Sequence, residues 1–230
     1  MDVQLFKRME KQLQFVSSLS GILANPRKKT ISVLLIDESY SMKGQESAIL
    51  KAVNSHLESS KKPTDGSDQY VLVITFNDEF RTAVPLSSAL NVAKMTKYVP
   101  DGNTLLYETV YLTIKSFFPA YKLLRGEMRF NTKIVFGIFT DGDDNESDKA
   151  FPDKLKRLVQ DTLRFGFDYY TLGFKHDAKR MARLMGMPAD DMHAQTHNKN
   201  EEGIINATMF FTSQSIGYFD HEKFDPSTQL

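Results

Sequence analysis

Two mostly apolar runs, Ile31–Ile36 (ISVLLI) and Lys133–Thr140 (KIVFGIFT), each lead straight into a short acidic loop. No other feature constrains the chain as much. Runs rich in Ile, Val and Phe suit strands covered on both faces, as in a parallel sheet. Asp37-Glu38-Ser39-Tyr40-Ser41 follows the first run and Asp141-Gly142-Asp143-Asp144 follows the second. In open α/β sheets, ligands sit outside the carboxyl ends of the strands, where strand order reverses. Polar loops at two such ends therefore predict one shared site.

The rest of the chain alternates strands with helices. Residues 45–58 read as a helix, Gln69–Phe76 as the next strand and Asn77-Asp78-Glu79 as a turn. Phe80–Leu86 alternates with a period of two and carries Pro85, which cannot donate to a ladder and so belongs on an edge strand closing a hairpin. Helices are predicted at 104–125, 149–164, 177–186 and 201–215, with strands at Tyr169–Phe174 and Met192–Gln195. Near the start, Phe6, Met9, Leu13, Val16 and Leu23 fall at helical spacing, giving an amphipathic helix over 3–24 that stops at Asn25-Pro26. The expected fold class is α/β, Rossmann-like and doubly wound. It has a mostly parallel central sheet with one antiparallel edge strand and helices on both faces. The expected organisation is an N-terminal helix within 1–26, one domain over 30–215 and a C-terminal tail over 216–230, polar from His221 onward.

Composition removes several function classes. Lys plus Arg equals Asp plus Glu at 29 each, and no basic stripe is evident, which argues against nucleic-acid binding. The chain has no cysteine, excluding disulfides, thiolate zinc sites and cysteine nucleophiles. No apolar run approaches the ~18 residues needed to cross a bilayer. The opening MDVQLFKRMEKQLQ mixes charges among apolar residues, unlike a signal peptide, so the expected setting is cytoplasmic, away from membranes.

Carboxylates and hydroxyls at the two strand ends point to a hard cation, since oxygen donors suit Mg²⁺, Mn²⁺ or Ca²⁺ better than zinc or copper. Alternation in Asp37-x-Ser39-x-Ser41 can turn all three side chains inward. With only two carboxylates and otherwise neutral hydroxyls, a divalent ion would keep electrophilic character and could accept a carboxylate from outside.

At these residues the chain resembles a known family. The run LLIDESYSM resembles the Asp-x-Ser-x-Ser signature of the metal-ion-dependent adhesion site (MIDAS) in von Willebrand factor A domains. Gly102-Asn103-Thr104-Leu105-Leu106-Tyr107-Glu108 is similar to that family's Gly-x-Thr-x-Leu-Tyr loop, and Phe139-Thr140-Asp141-Gly142 to its apolar-Thr-Asp-Gly. The resemblance spans about residues 30–215. It implies a metal site of Asp37, Ser39, Ser41, Thr104 and Asp141, holding Mg²⁺ with Mn²⁺ or Ca²⁺ as alternatives. Ser39 and Ser41 would coordinate directly, Thr104 when a ligand is bound, and Asp37 and Asp141 directly or through water. It also implies a protein partner that presents Asp or Glu, and a non-enzymatic adaptor of the kind that works beside AAA-type ATPases or in bacterial stress-resistance clusters. Tyr40 departs from the family pattern, standing where a small residue is common between the two serines.

Plainer readings exist for each residue taken alone. Ser39, Ser41 and Thr104 could cap helices, and Asp141-Gly142 could be an ordinary turn; their joint occurrence after two buried strands favours a site. Asp141–Asp148 (DGDDNESD) superficially matches a calcium loop. Glu146 stands where an EF-hand needs glycine, and Pro152 where it needs glutamate, so Asp143, Asp144 and Asp148 read as a solvated acidic rim. His193 and His197 are four apart, but Pro188 and the adjoining strand argue against a helical zinc pair. Met209-Phe210-Phe211 reads as core. The enzymatic rival is a magnesium-dependent phosphotransferase of haloacid-dehalogenase type, whose second aspartate would stand where this chain has Ser39. A third reading is a scaffold whose contacts ignore the metal.

Overall fold

In the computed structural model, residues 16–142 and 144–216 are described. The expected N-terminal helix enters this range only at its end, as α1 (Val16–Ala24), and the expected tail from 217 onward lies outside it. The central sheet contains β1 (Lys29–Asp37), β2 (Asp68–Phe76), β3 (Phe80–Ser88), β4 (Thr132–Thr140), β5 (Phe167–Phe174) and β6 (Ala194–His197). Their order is β3-β2-β1-β4-β5-β6, parallel throughout except for the antiparallel β2–β3 pair. Strand order thus reverses between β1 and β4. Pro85 lies on β3, the edge strand at one end of this order, where a missing N–H costs no inner ladder bond.

Every residue of β1 is buried, because helices cover both faces of the sheet. One face packs Ile31, Val33 and Leu35 against Leu19 and Leu23 of α1 and Val110, Ile114 and Phe117 of α3 (Leu106–Lys122). Leu155 and Val159 of α5 (Phe151–Leu163) and Met181 and Met185 of α6 (Ala178–Met185) extend that core. The opposite face packs Leu34 and Ile36 against Ile49 and Val53 of α2 (Glu46–Ser59) and Ile204 and Phe211 of α7 (Glu201–Ile216).

Several boundaries differ from the sequence reading. The helix expected over 104–125 starts at Leu106 and ends at Lys122, and a separate short helix, α4 (Gly126–Phe130), follows. The late start matters, because it leaves Thr104 in a loop. β6 is shifted two residues later than Met192–Gln195. Asp190 closes a turn by accepting from the Met192 N–H at 2.9 Å, and this leaves Met192 60% exposed. Of Met209-Phe210-Phe211, Phe211 is core and Phe210 packs partly buried against it, whereas Met209 is 62% exposed.

A polar contact crosses the second core. His56 of α2 is fully buried and bonds Ser32 Oγ on β1 at 3.1 Å and Thr212 Oγ1 on α7 at 2.9 Å. Burial holds this imidazole neutral, with its pKa lowered to about 3.

Candidate metal site at the strand-order reversal

β1 ends on Asp37, and Asp141 directly follows β4, so the two carboxylates flank the place where strand order reverses. Parallel register aligns Ile36 with Phe139, which brings Asp37 beside Thr140. Thr140 Oγ1 donates to Asp37 Oδ2 at 2.6 Å, and the Ser39 N–H donates to Asp37 Oδ1 at 2.9 Å. The Tyr98 hydroxyl donates to the Asp37 carbonyl, clamping the strand end from the other side. Asp37 is fully buried, and burial raises its pKa to about 6; the bonds from Ser39 and Thr140 oppose that rise and the Asp141 charge adds to it.

From Ser39 a chain of hydrogen bonds continues to the second loop. Ser39 Oγ lies 3.0 Å from Ser41 Oγ, and Ser41 Oγ donates to Asp141 Oδ1 at 2.6 Å. Asp141 is buried, whereas Ser41 and Tyr40 open to solvent, Tyr40 being 60% exposed with the Lys43 ammonium over its ring. The site is thus buried at its carboxylates and at Ser39, and open at Ser41.

Thr104 is held through its backbone. Its N–H donates to Asn145 Oδ1 at 2.8 Å, and its carbonyl accepts from the Asn145 N–H at 3.2 Å. The Tyr40 N–H donates to the Gly102 carbonyl at 3.0 Å, tying the serine loop to the threonine loop. Gly102 makes this approach with φ +71°, and an added Cβ would lie 2.3 Å from Asp78 Oδ2. Asp78 in turn accepts from the Asn103 N–H at 2.6 Å. Four of the five residues singled out in the sequence therefore join one hydrogen-bonded chain, and the fifth lies in an adjoining loop tied to both.

The acidic stretch after β4 is more than a solvated rim. Asp144 Oδ2 accepts from the Tyr107 N–H at 2.7 Å, satisfying an otherwise free donor in the first turn of α3. Asp148 fits the rim reading in being exposed, and Asp143 lies outside the described residues. His193 bonds Asp190 at 2.8 Å and stacks on Tyr170, far from any shared ligand role with His197. Among the described residues no three His, Asp or Glu side chains gather into a metal-sized group. A cation at this site would therefore rest on hydroxyls as much as on carboxylates.

Sequence reasoning missed Lys199. Its ammonium donates to Asp141 Oδ2 at 2.6 Å and to the Ser41 carbonyl at 2.8 Å. It arrives from the loop between β6 and α7, and nothing in the local pattern around it signals the contact. Glu38 was also missed; it is buried and paired with Arg81 Nη2 at 2.7 and 2.8 Å, so its charge is spent inside the fold. Thr140 was within reach of the sequence, since it precedes Asp141 at the end of the strand.

The family model of the von Willebrand factor type A domain matches residues 33–208. No curated protein sequence matches the chain. Among solved structures, similarity extends to proximal thread matrix protein 1 from the mussel byssus with a zinc-occupied MIDAS motif. That match has 11% identity and a TM-score of 0.56, covering 84% of this chain and 47% of the mussel chain. Manganese-loaded TRAP protein of Plasmodium vivax is similar at 14% identity and TM-score 0.53, covering 80% of this chain and 74% of its own. The PilB minor pilin of Streptococcus sanguinis gives 12% and 0.53, with 84% and 62% covered. The chain thus spans about half the length of the mussel protein. At these identities the likeness speaks for the fold. No described helix is long and apolar enough to cross a membrane.

Proposed function

The chain belongs to the von Willebrand factor type A domain family, and from that premise we propose that it is a metal-dependent protein-binding adaptor. Its site would take a divalent cation and, through it, an Asp or Glu of a partner protein. The observation that carries this reading is the hydrogen-bonded chain Asp37–Ser39–Ser41–Asp141 at the strand-order reversal, buried at its carboxylates and open at Ser41.

The donor set fits the ion. All side-chain donors are oxygens, which suits magnesium first and manganese or calcium next. Asp37 also carries a desolvation cost that a neighbouring cation would offset, as its raised pKa records. Ser39, Ser41 and Thr104 would offer hydroxyls, and Asp37 and Asp141 would take part directly or through water. When bound, the ion supplies a Lewis-acidic position for an incoming carboxylate. The chain's own part is to orient the donors: Thr140 fixes Asp37, and Asn145 fixes Thr104. The zinc in the mussel protein and the manganese in the Plasmodium protein support a divalent ion here. Tyr40, exposed between the two serines, would be the first surface a partner meets.

A cytoplasmic setting and a partner tied to an AAA-type ATPase or a stress-resistance system belong to the same proposal, and the cysteine-free sequence is in keeping with a reducing compartment. Phosphoryl transfer fits poorly, because Ser39 stands at the general-acid position and is engaged with Ser41.

The test is affinity capture from native lysate with and without chelator. Wild type is expected to retain a partner only with divalent ion, and Asp37→Ala and Thr104→Ala are expected to lose it while keeping a wild-type circular-dichroism spectrum. A partner that survives chelator and both substitutions would instead establish the scaffold reading.

A further inference from the structure

We propose that Lys199 is a resident counter-cation of this site, competing with the divalent ion for Asp141 and so setting how tightly the ion binds. The inference rests on the metal reading above and adds a specific opponent to it.

The ammonium sits 2.6 Å from Asp141 Oδ2 while Asp141 Oδ1 accepts from Ser41, so both carboxylate oxygens are engaged from within the chain. A second bond, to the Ser41 carbonyl at 2.8 Å, fixes the ammonium against the serine loop itself. The pair is largely withdrawn from water: the Lys199 side chain is 19% exposed and that of Asp141 is 1% exposed. Pinning a long lysine in one place costs rotamer entropy, and withdrawing its charge from water costs solvation. The contact therefore persists because the buried Asp141 carboxylate needs a positive charge close by.

The backbone carrying Lys199 is built to hold it there. The Lys175 N–H donates to the His197 carbonyl at 2.9 Å, fixing the end of β6. Asn200 Oδ1 accepts from the Gly203 N–H at 2.9 Å, capping α7. Between them the loop presses on Gly203 so closely that an added Cβ would lie 2.0 Å from the Asn198 carbonyl oxygen. Lys199 is thus presented from a short segment fixed at both ends.

Two cations cannot share Asp141 without repelling each other, and the repulsion is strong in a partly buried place. An arriving divalent ion must either displace the ammonium or bind beside it; in both cases Lys199 weakens the ion's hold. Without the ion, the same lysine stabilises the Asp141 carboxylate. The site would then be partly neutralised when no ion is bound and become electrophilic only at sufficient ion concentration.

The experiment is Mn²⁺ titration by calorimetry of the full chain as wild type, Lys199→Met, Lys199→Gln and Lys199→Arg. The Met and Gln variants are expected to bind Mn²⁺ about tenfold tighter or more, and Arg to stay near wild type. In chelator the Met variant is expected to melt below wild type and to gain more from added Mn²⁺. Should Lys199→Met fail to fold, Lys199→Gln carries the same comparison. Equal or weaker affinity in the neutral variants would overturn the proposal while leaving the metal reading intact. If neither wild type nor any variant bound Mn²⁺, the metal reading would fall, and this inference with it.

Discussion

Replacing His56 with alanine is expected to destabilise the fold by about 3–5 kcal/mol, the range for emptying a large buried site. The ring fills space beside Phe211, 5.4 Å between centroids, and it joins α2 to Ser32 of β1 and Thr212 of α7. Alanine would leave a cavity and remove the bridge between the two hydroxyls, which would keep only their bonds to the Tyr70 and Thr208 carbonyls. The same residue makes stability depend on pH. Its pKa is lowered to about 3 in the folded chain, against about 6.5 when unfolded. Above the unfolded value neither state takes the proton, and the stabilisation is complete. As pH falls from about 6.5 toward about 3, only the unfolded chain is protonated, and stability declines by about 1.4 kcal/mol per pH unit. The groups facing the ring, Ser32, Ser60, Thr212 and Phe211, carry no charge to soften this. Denaturant melts of wild type and His56→Phe at pH 7 and pH 5 check the account: the slope should shrink in the variant, and an unchanged slope would place its origin elsewhere.

Gly102→Ala is expected to damage fold and site together. A left-handed backbone costs an alanine about 1–2 kcal/mol, and the new methyl would also meet the Asp78 carboxylate that anchors the Asn103 N–H. Gly44 provides the control, with φ +87° and open space around its missing side chain. Gly44→Ala should therefore show the backbone cost alone. Gly102→Ala should exceed it in a thermal melt, and it should also weaken Mn²⁺ binding, because the Tyr40 N–H bond to the Gly102 carbonyl aligns the serine and threonine loops. Equal melting losses and equal Mn²⁺ affinity in the two variants would contradict this.

These residues also mark what the sequence could and could not tell. The sheet was legible because parallel strands buried on both faces leave long apolar runs, and because Pro85 marks an edge. The gathering of Asp37, Ser39, Ser41 and Asp141 was legible for a related reason: the end of a run gives the end of a strand, and adjacent parallel strands in register bring their ends together. Thr104 and its place in a loop were legible by resemblance alone, since the apolar pattern of α3 runs on smoothly past its start and drew the helix back to residue 104. The roles of Asp144 and Asn145 were hidden because side-chain bonds to the backbone of a distant helix start or loop leave no periodic trace, and polar residues in a loop look solvated by default. Lys199 was hidden more deeply. Its contact with Asp141 spans 58 positions and depends on how β6 leads into α7, and the sequence reading set β6 two residues too early.

The central claim is that the strand-end cluster holds a divalent ion, and the most direct measurement is Mn²⁺ binding to metal-stripped protein, followed by electron paramagnetic resonance. Asp141→Asn is the informative comparison, because it keeps the shape of the side chain and removes its charge. The account predicts a single bound ion per chain in wild type and a loss of affinity on the order of 100-fold in the variant. No bound ion in wild type, or an affinity that Asp141→Asn leaves unchanged, would contradict it.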